Sequence, residues 1–457
     1  MAISSVDPTT GIEWQVYEPH GADEVERRLA LASTAYRIHR TTSFEQRAGW
    51  VTAVADLLEQ RADDLADLAC REMGKTLTAG RAEALKCARG CRYYAEHAES
   101  FLADEAADPA TVGARSAHVQ WDPIGPVLAV MPWNYPFWQV LRFAAPTIMA
   151  GNVALLKHAS NVPGCALAVE QIFHDAGMPD GTFQTLLIES RGVDAVIKDV
   201  RVAAVTLTGS EGAGRAVASS AGSVIKKVVL ELGGSDPFVV MPSADVGEAA
   251  RVGAVSRNQN AGQSCIAAKR FIVHTDCLGE FAERFVAEVA AIRVGNPADA
   301  DVDMGPLATA TSAKELQELV DDAVSHGATL AVGGAGLPGD GWFYQPTVLL
   351  GVTPAMRIYT EEAFGPVAAV IEVSDVDQAI EVANATDFGL SANAWSSDAA
   401  EVKRLVSEIE AGAVFLNGMT ASHPELPFGG TKSSGYGREL SALGIREFCN
   451  AKTVWAA

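Results

Sequence analysis

AHVQWDPIGPVLAVMPW, residues 117–133, changes character at its Pro/Gly turn. Before the turn VQWDP is polar, like an edge strand or a protruding arm. After it VLAVM is continuously apolar, like a parallel strand buried on both faces. Toward the C-terminus short apolar runs return, spaced by helical patterns and Gly turns: VALLK (153–157), FQTLL (183–187), AAVTLTG (203–209) and VIKKVVLELGG (224–234). That alternation predicts βαβ units and a twisted parallel sheet covered on both faces. A second α/β series begins near residue 240, with FIVH (271–274), a helix expected over about 278–292, ATLAVGG (328–334), VAAVIEV (367–373) and AVFLN (413–417). Toward the N-terminus, FEQRAGWVTAVADLLEQRADDLADLACREMGK (44–75) carries apolar residues at helical period with charges between them. The final AKTVWAA (451–457) is expected to pair with the VQWDP arm. An arm joined to a terminal strand leaves an edge that invites a second copy of the chain.

A chain of 457 residues is too long for one ordinary core and implies two or three domains. Its 57 acidic residues outweigh 35 basic ones, for a net charge of -22, which argues against nucleic acid or an anionic membrane as partner. An anionic substrate would need a locally basic pocket. No apolar run of about 20 residues offers a membrane span, and MAISSVDPTTGIEW lacks a signal-peptide pattern. The seven cysteines (Cys70, Cys87, Cys91, Cys165, Cys265, Cys277 and Cys449) are odd in number and irregular in spacing, so they read as free thiols of a reducing cytoplasm. Cys87 and Cys91 stand four apart on a helical pattern, but no second Cys or His pair follows, and no metal site is expected.

Three segments carry candidate chemistry. In NQNAGQSCIAAKR (258–270), Cys265 follows Gly262, Gln263 and Ser264, a lead-in that permits a tight turn with exposed amides, and precedes a helix-like run. A reactive thiol needs a helix N-terminus or a cation to favour its thiolate; without one, Cys265 is a structural thiol. In VVLELGGSDPFVV (228–240), Glu231 interrupts an apolar strand, where a carboxylate is costly unless it sits at the strand end or has a task. Apolar surroundings would raise its pKa toward that of a useful general base. In VMPWNYPFWQVLR (130–142), Asn134 sits in a turn after a buried strand, where its amide serves either the turn or an oxyanion.

Cys265, Glu231 and Asn134, together with EEAFGPV (361–367) and PFGGTKSSGYGRE (427–439), occur in the order and spacing of the aldehyde dehydrogenase superfamily, which the chain resembles over essentially its whole length. The resemblance implies an α/β fold: a Rossmann-like cofactor-binding domain (1–112 and 128–231), a second α/β catalytic domain (232–426) and a small β oligomerisation arm (113–127 and 440–457). It implies that Cys265 attacks the aldehyde, that the Asn134 amide and the Cys265 N–H hold the oxyanion, and that Glu231 activates the water that hydrolyses the thioester. No G-x-G-x-x-G turn opens a helix in the first α/β series. Instead TLTGSEGAG (206–214) would present the amides of Gly209 and Ser210 to a pyrophosphate. Trp133, Asn134, Leu232, Glu362 and Phe364 resemble residues at the nicotinamide end. LLKHASNVP (155–163) brings Lys157, His158, Ala159 and Ser160 to the adenosine end, where Ser160 replaces the glutamate of many strict NAD enzymes. NADP is therefore expected to be preferred, with NAD possible.

Within the superfamily the chain most resembles the compact bacterial succinate-semialdehyde dehydrogenases. That resemblance implies a short aldehyde bearing a carboxylate, held by Arg142 and Ser422 in a tunnel lined by Gln259, Trp138 and Phe428. Gln259 stands where many of these enzymes carry a second arginine, and Ala267 where many carry a second cysteine for a redox switch. Glutaric semialdehyde or a broader set of aldehydes is the alternative substrate range. A non-redox thiol esterase with His423 as base is the alternative of a different class. The resemblance and the terminal arm together imply a homodimer or homotetramer.

Overall fold

The computed structural model describes residues 3–457, and its strands form two large sheets, a three-stranded arm sheet and two two-stranded sheets. A six-stranded sheet runs in the order Gly435–Tyr436, Lys227–Glu231, Ala204–Thr208, Pro126–Met131, Val153–His158, Phe183–Thr185. All neighbours are parallel except the Gly435–Tyr436 edge. Val127, Leu128 and Ala129 of the quoted apolar run are fully buried, which is what a strand covered by helices on both faces requires. A seven-stranded sheet follows the order Thr329–Val332, Thr347–Leu350, Val367–Val373, Arg270–His274, Pro237–Val240, Ala392–Trp395, Val414–Leu416. Only its first strand is antiparallel. The third group is the arm, where Cys449–Ala456 pairs antiparallel with Ser116–Pro123 over eight residues.

Several local features depart from the sequence expectations. A hairpin of Ile3–Asp7 and Ile12–Tyr17 precedes the helices. Glu105–Ala106 joins the arm sheet rather than the cofactor-side unit, since two residues are too few to show a period. Residues 441–446 are a helix packed on Leu77–Phe101 and Trp138–Met149, so the terminal arm strand begins only at Cys449. The helix expected over 278–292 is Thr275–Ala290; it starts early because the His274 side chain caps it, accepting from the Asp276 N–H. Among the described residues no helix is long and apolar enough to cross a membrane.

In the six-stranded sheet the chain leaves Pro126–Met131 in one direction and later returns to its other side at Ala204–Thr208. Loops after those two strands diverge, opening the crevice where open α/β sheets bind ligands. Every residue of the helix Trp138–Met149, which follows the first of these loops, is buried.

Candidate active site

A cleft of about 380 Å³ opens at that divergence. Pro132, Trp133 and Asn134 line one side, from the loop after Pro126–Met131, and Thr208, Gly209 and Ser210 line the other. Ser210 caps the helix Glu211–Ser223 by accepting from the Ala213 N–H, so the positive end of a long helix faces the cleft. Leu232 and Gly233, from the end of the next strand, form its floor. The second sheet closes the cleft with Cys265, Glu362 and Phe364, from loops that enter the paired strands Arg270–His274 and Val367–Val373. Phe364 meets Trp133 edge-on, with ring centroids 5.8 Å apart.

Cys265 does not start a helix, contrary to the sequence expectation; it lies in a turn that leads into the strand Arg270–His274. Of the IAAKR run only Arg270 is in the strand; Ile266 and Ala267 continue the turn, with the Ala267 N–H donating to the Ser264 carbonyl. Before it the backbone is left-handed at three successive residues, Asn260, Ala261 and Gly262. Two of these are not glycine, so the turn stores strain, as segments at functional sites often do. A side chain on Gly262 would collide with the Gly365 carbonyl, so the turn and the EEAFGPV loop touch backbone to backbone. The buried Arg257 guanidinium holds the turn by donating to the carbonyls of Gly262 at 2.6 Å and Ala268 at 3.0 Å. Lys269 donates to the carbonyls of Ser264 and Cys265 and pairs with Glu362 at 3.2 Å.

Cys265 is the one cysteine among the described residues that is not buried. Its thiol is nonetheless pushed up to about 11, first by desolvation, with Arg142 and Lys269 acting in the opposite direction. Asn134 donates one amide N–H to the Gln263 carbonyl at 3.1 Å. An amide has two such hydrogens, so a second remains for the cleft that Asn134 shares with the sulfur.

A second cavity, of about 270 Å³, meets the first at the sulfur: the two share only Cys265 and Gln139 among their lining residues. It is lined by Arg142, Ser422, Gln259, Trp138 and Phe428, all five of the substrate residues expected from sequence. Arg142, however, is not a free cation. It forms an ion pair with the buried Glu439, lies over the Phe428 ring at 4.7 Å and has Thr208 Oγ1 at 3.4 Å. The cavity also holds Lys75, Glu83 and Lys86, none of which the sequence singled out. Glu83 pairs with Lys75 and accepts from the N–H groups of Phe137 and Trp138, fixing the start of the helix that carries Arg142.

Glu231 lines neither cavity. Its carboxyl packs toward Gly429, buried and without a hydrogen-bond partner among the described residues. Burial, and next the charge of Glu439, hold it well above the usual carboxylate range, against the pull of Arg142 and Arg438. Lys157, His158, Ala159 and Ser160 also lie outside the cleft around the sulfur. The His158 ring is turned into the fold, where Nε2–H donates to the Pro136 carbonyl at 2.9 Å, just past the Trp133–Asn134 turn, and Nδ1 accepts from the Ala159 N–H at 2.9 Å. Burial lowers its pKa to about 4, so the neutral ring braces the turn and its side chain does not face the cleft. Lys157 is buried with no ion-pair partner among the described residues, and Ser160 is exposed. His423 lines neither cavity, which leaves the esterase alternative without a base beside the thiol.

The aldehyde dehydrogenase family model matches residues 1–454. Succinate-semialdehyde dehydrogenase [NADP(+)] 1 of Mycobacterium tuberculosis (strain ATCC 25618 / H37Rv) is 56% identical over 457 residues, covering 100% of both chains. The corresponding enzyme of Mycobacterium leprae (strain TN) is 55% identical, again over 100% of both. Among solved structures, succinic semialdehyde dehydrogenase from Streptococcus pyogenes, in complex with NADP+, superposes with a TM-score of 0.96 at 36% identity over 99% of each chain. Fold and full-length similarity agree: the chain belongs to the aldehyde dehydrogenase family.

Proposed function

We propose that this enzyme oxidises succinic semialdehyde to succinate with NADP+ as the preferred acceptor. The observation that carries the reading is that Cys265 is where two cavities meet, one suited to a dinucleotide and one to a short acid. The larger cleft fits a nicotinamide dinucleotide. Ser210 caps a helix of thirteen residues whose first-turn amides suit a pyrophosphate, the Gly209 N–H being taken by the Glu231 carbonyl, while Trp133, Leu232 and Phe364 offer apolar faces to a ring. Lys157, a cation without a counter-ion, together with Ser160, favours a ribose phosphate over a bare hydroxyl, and the close relatives are NADP enzymes by name.

With the aldehyde in the smaller cavity, Cys265 releases its proton to solvent and the resulting thiolate attacks the carbonyl carbon. The oxyanion takes the free Asn134 N–H and the Cys265 N–H; removing one such donor typically costs about 3 kcal/mol of barrier. A nicotinamide held by Trp133, Leu232 and Phe364 would supply the hydride acceptor for that carbon, and Cys265 is then left holding a thioester. Glu231 then turns from its resting position toward the thioester and takes a proton from the attacking water. A carboxyl with no hydrogen bonds to break turns cheaply, and leaving its buried niche lowers its pKa into the range of a base. Succinate departs and the thiol is restored.

The arm strand Cys449–Ala456 is paired on one side only, and Trp455 at its end is exposed, so a second copy of the chain is the natural occupant of its free edge. A cytoplasmic homo-oligomer is the assembly this reading carries.

A panel of succinic semialdehyde, glutaric semialdehyde and neutral aldehydes against both cofactors tests the assignment. Succinic semialdehyde with NADP+ is expected to give the highest kcat/KM. Cys265→Ala is expected to abolish turnover, and Glu231→Gln to keep one burst of reduced cofactor per site while steady turnover falls by two orders of magnitude or so. Full steady-state activity in Cys265→Ala would sink the mechanism.

A further inference from the structure

Three basic side chains line the smaller cavity, and two of them already have carboxylates. Lys75 pairs with Glu83, and Arg142 pairs with Glu439. The third, Lys86, has no carboxylate within ion-pair distance among the described residues. Its ammonium donates to Ser422 Oγ at 2.8 Å and lies over the Trp138 ring at 4.4 Å. A largely desolvated cation with only a hydroxyl and an indole face for company is an incomplete site, because desolvation is offset fully only by an opposite charge.

Ser422 completes the geometry. Its oxygen accepts from Lys86 Nζ and also from Trp138 Nε1 at 2.9 Å. A hydroxyl has two lone pairs and one proton. With both lone pairs engaged, the proton is left to donate to something the protein does not supply. Lys86 likewise has two N–H groups beyond the one given to Ser422. One N–H from Lys86 and the O–H of Ser422 suit the two oxygens of a single carboxylate.

We propose that Lys86, with Ser422, is the seat of the substrate's distal carboxylate and the main source of acid specificity. Arg142 instead serves the reacting end, neutralising Glu439 and biasing Cys265 and Glu231. This rests on the reading that the substrate is an acid-bearing aldehyde. Burial lowers Lys86 to about 8, so at neutral pH it remains mostly charged.

The test compares succinic semialdehyde with its uncharged methyl ester in the full-length enzyme with NADP+. Lys86→Met keeps the length of the side chain and removes the charge. It is expected to lower the acid-to-ester ratio of kcat/KM by roughly 30-fold or more, chiefly through KM for the acid, as loss of a charge-assisted hydrogen bond does. Lys86→Arg is expected to recover most of that ratio. Should Lys86→Met prove inactive, alkylation of Cys265 by iodoacetamide reads the same seat without turnover: succinate is expected to slow it in the wild type and not in the variant. If the wild type prefers the acid and Lys86→Met keeps that preference within about threefold, or succinate still protects the variant, the Lys86 seat is wrong and the acid substrate stands. If the wild type does not distinguish acid from ester, the acid substrate itself is wrong, and the seat falls with it.

Discussion

Cys265 combines exposure to two cavities with a thiol pushed up to about 11, so at neutral pH the resting enzyme holds this thiol protonated. A thiol whose pKa is raised is deprotonated only as pH climbs toward the raised value. Iodoacetamide alkylation of the cofactor-free enzyme should therefore accelerate about tenfold per pH unit from pH 7 to 10, without levelling off near 8.5 as a free thiol would. A plateau below pH 9 would mean that Arg142 and Lys269 outweigh burial. The sequence singled out Cys265, Asn134 and Glu231 through local motifs, but not their states. Asn134 lines the same cleft as the sulfur, whereas Glu231 lines neither cavity and packs toward Gly429. Lys86 was passed over because a lysine on the amphipathic helix Leu77–Phe101 reads as one more solvated charge.

At the scale of elements, the site depends on one strained turn held by one buried arginine. Arg257 touches neither cavity, yet its guanidinium bonds the carbonyls of Gly262 and Ala268, on either side of the nucleophile. Arg257→Met should destabilise the fold by on the order of 3 kcal/mol through those unsatisfied carbonyls. It should also lower kcat more than KM, since the turn would relax away from its left-handed geometry. Denaturant titration together with steady-state kinetics checks both. An unchanged kcat would show that the turn keeps its shape without the arginine. The Gly-Gln-Ser lead-in made the tight turn legible. The absence of a following helix was not legible, because a five-residue IAAKR run is too short to show a period, and Lys269 ties the turn by donating to the Ser264 and Cys265 carbonyls before the strand begins at Arg270.

For the whole molecule, two sheets meet at one cleft while the arm stands apart from both. The pairing of Ser116–Pro123 with Cys449–Ala456 joins segments more than three hundred residues apart and leaves the terminal strand with an open edge. A chain ending at Phe448 should lose its oligomeric mass by light scattering, since both the free edge and the exposed Trp455 go with the truncation. An unchanged mass would place the interface elsewhere.

Periodicity, the Pro/Gly turn in the quoted stretch and five short motifs were enough to determine that this chain builds two α/β sheets around a cysteine chemistry with a dinucleotide. Those signals are local: whether a strand is buried, where a turn breaks it, and which residue follows it. Tertiary structure alone decided which charges are free. Arg142 is neutralised by a residue 297 positions away, as the paired numbers 142 and 439 show, and Lys75 by Glu83, while Lys86 is left for a ligand. Ion pairing depends on distances of a few ångströms between segments whose separation in sequence carries no trace of them.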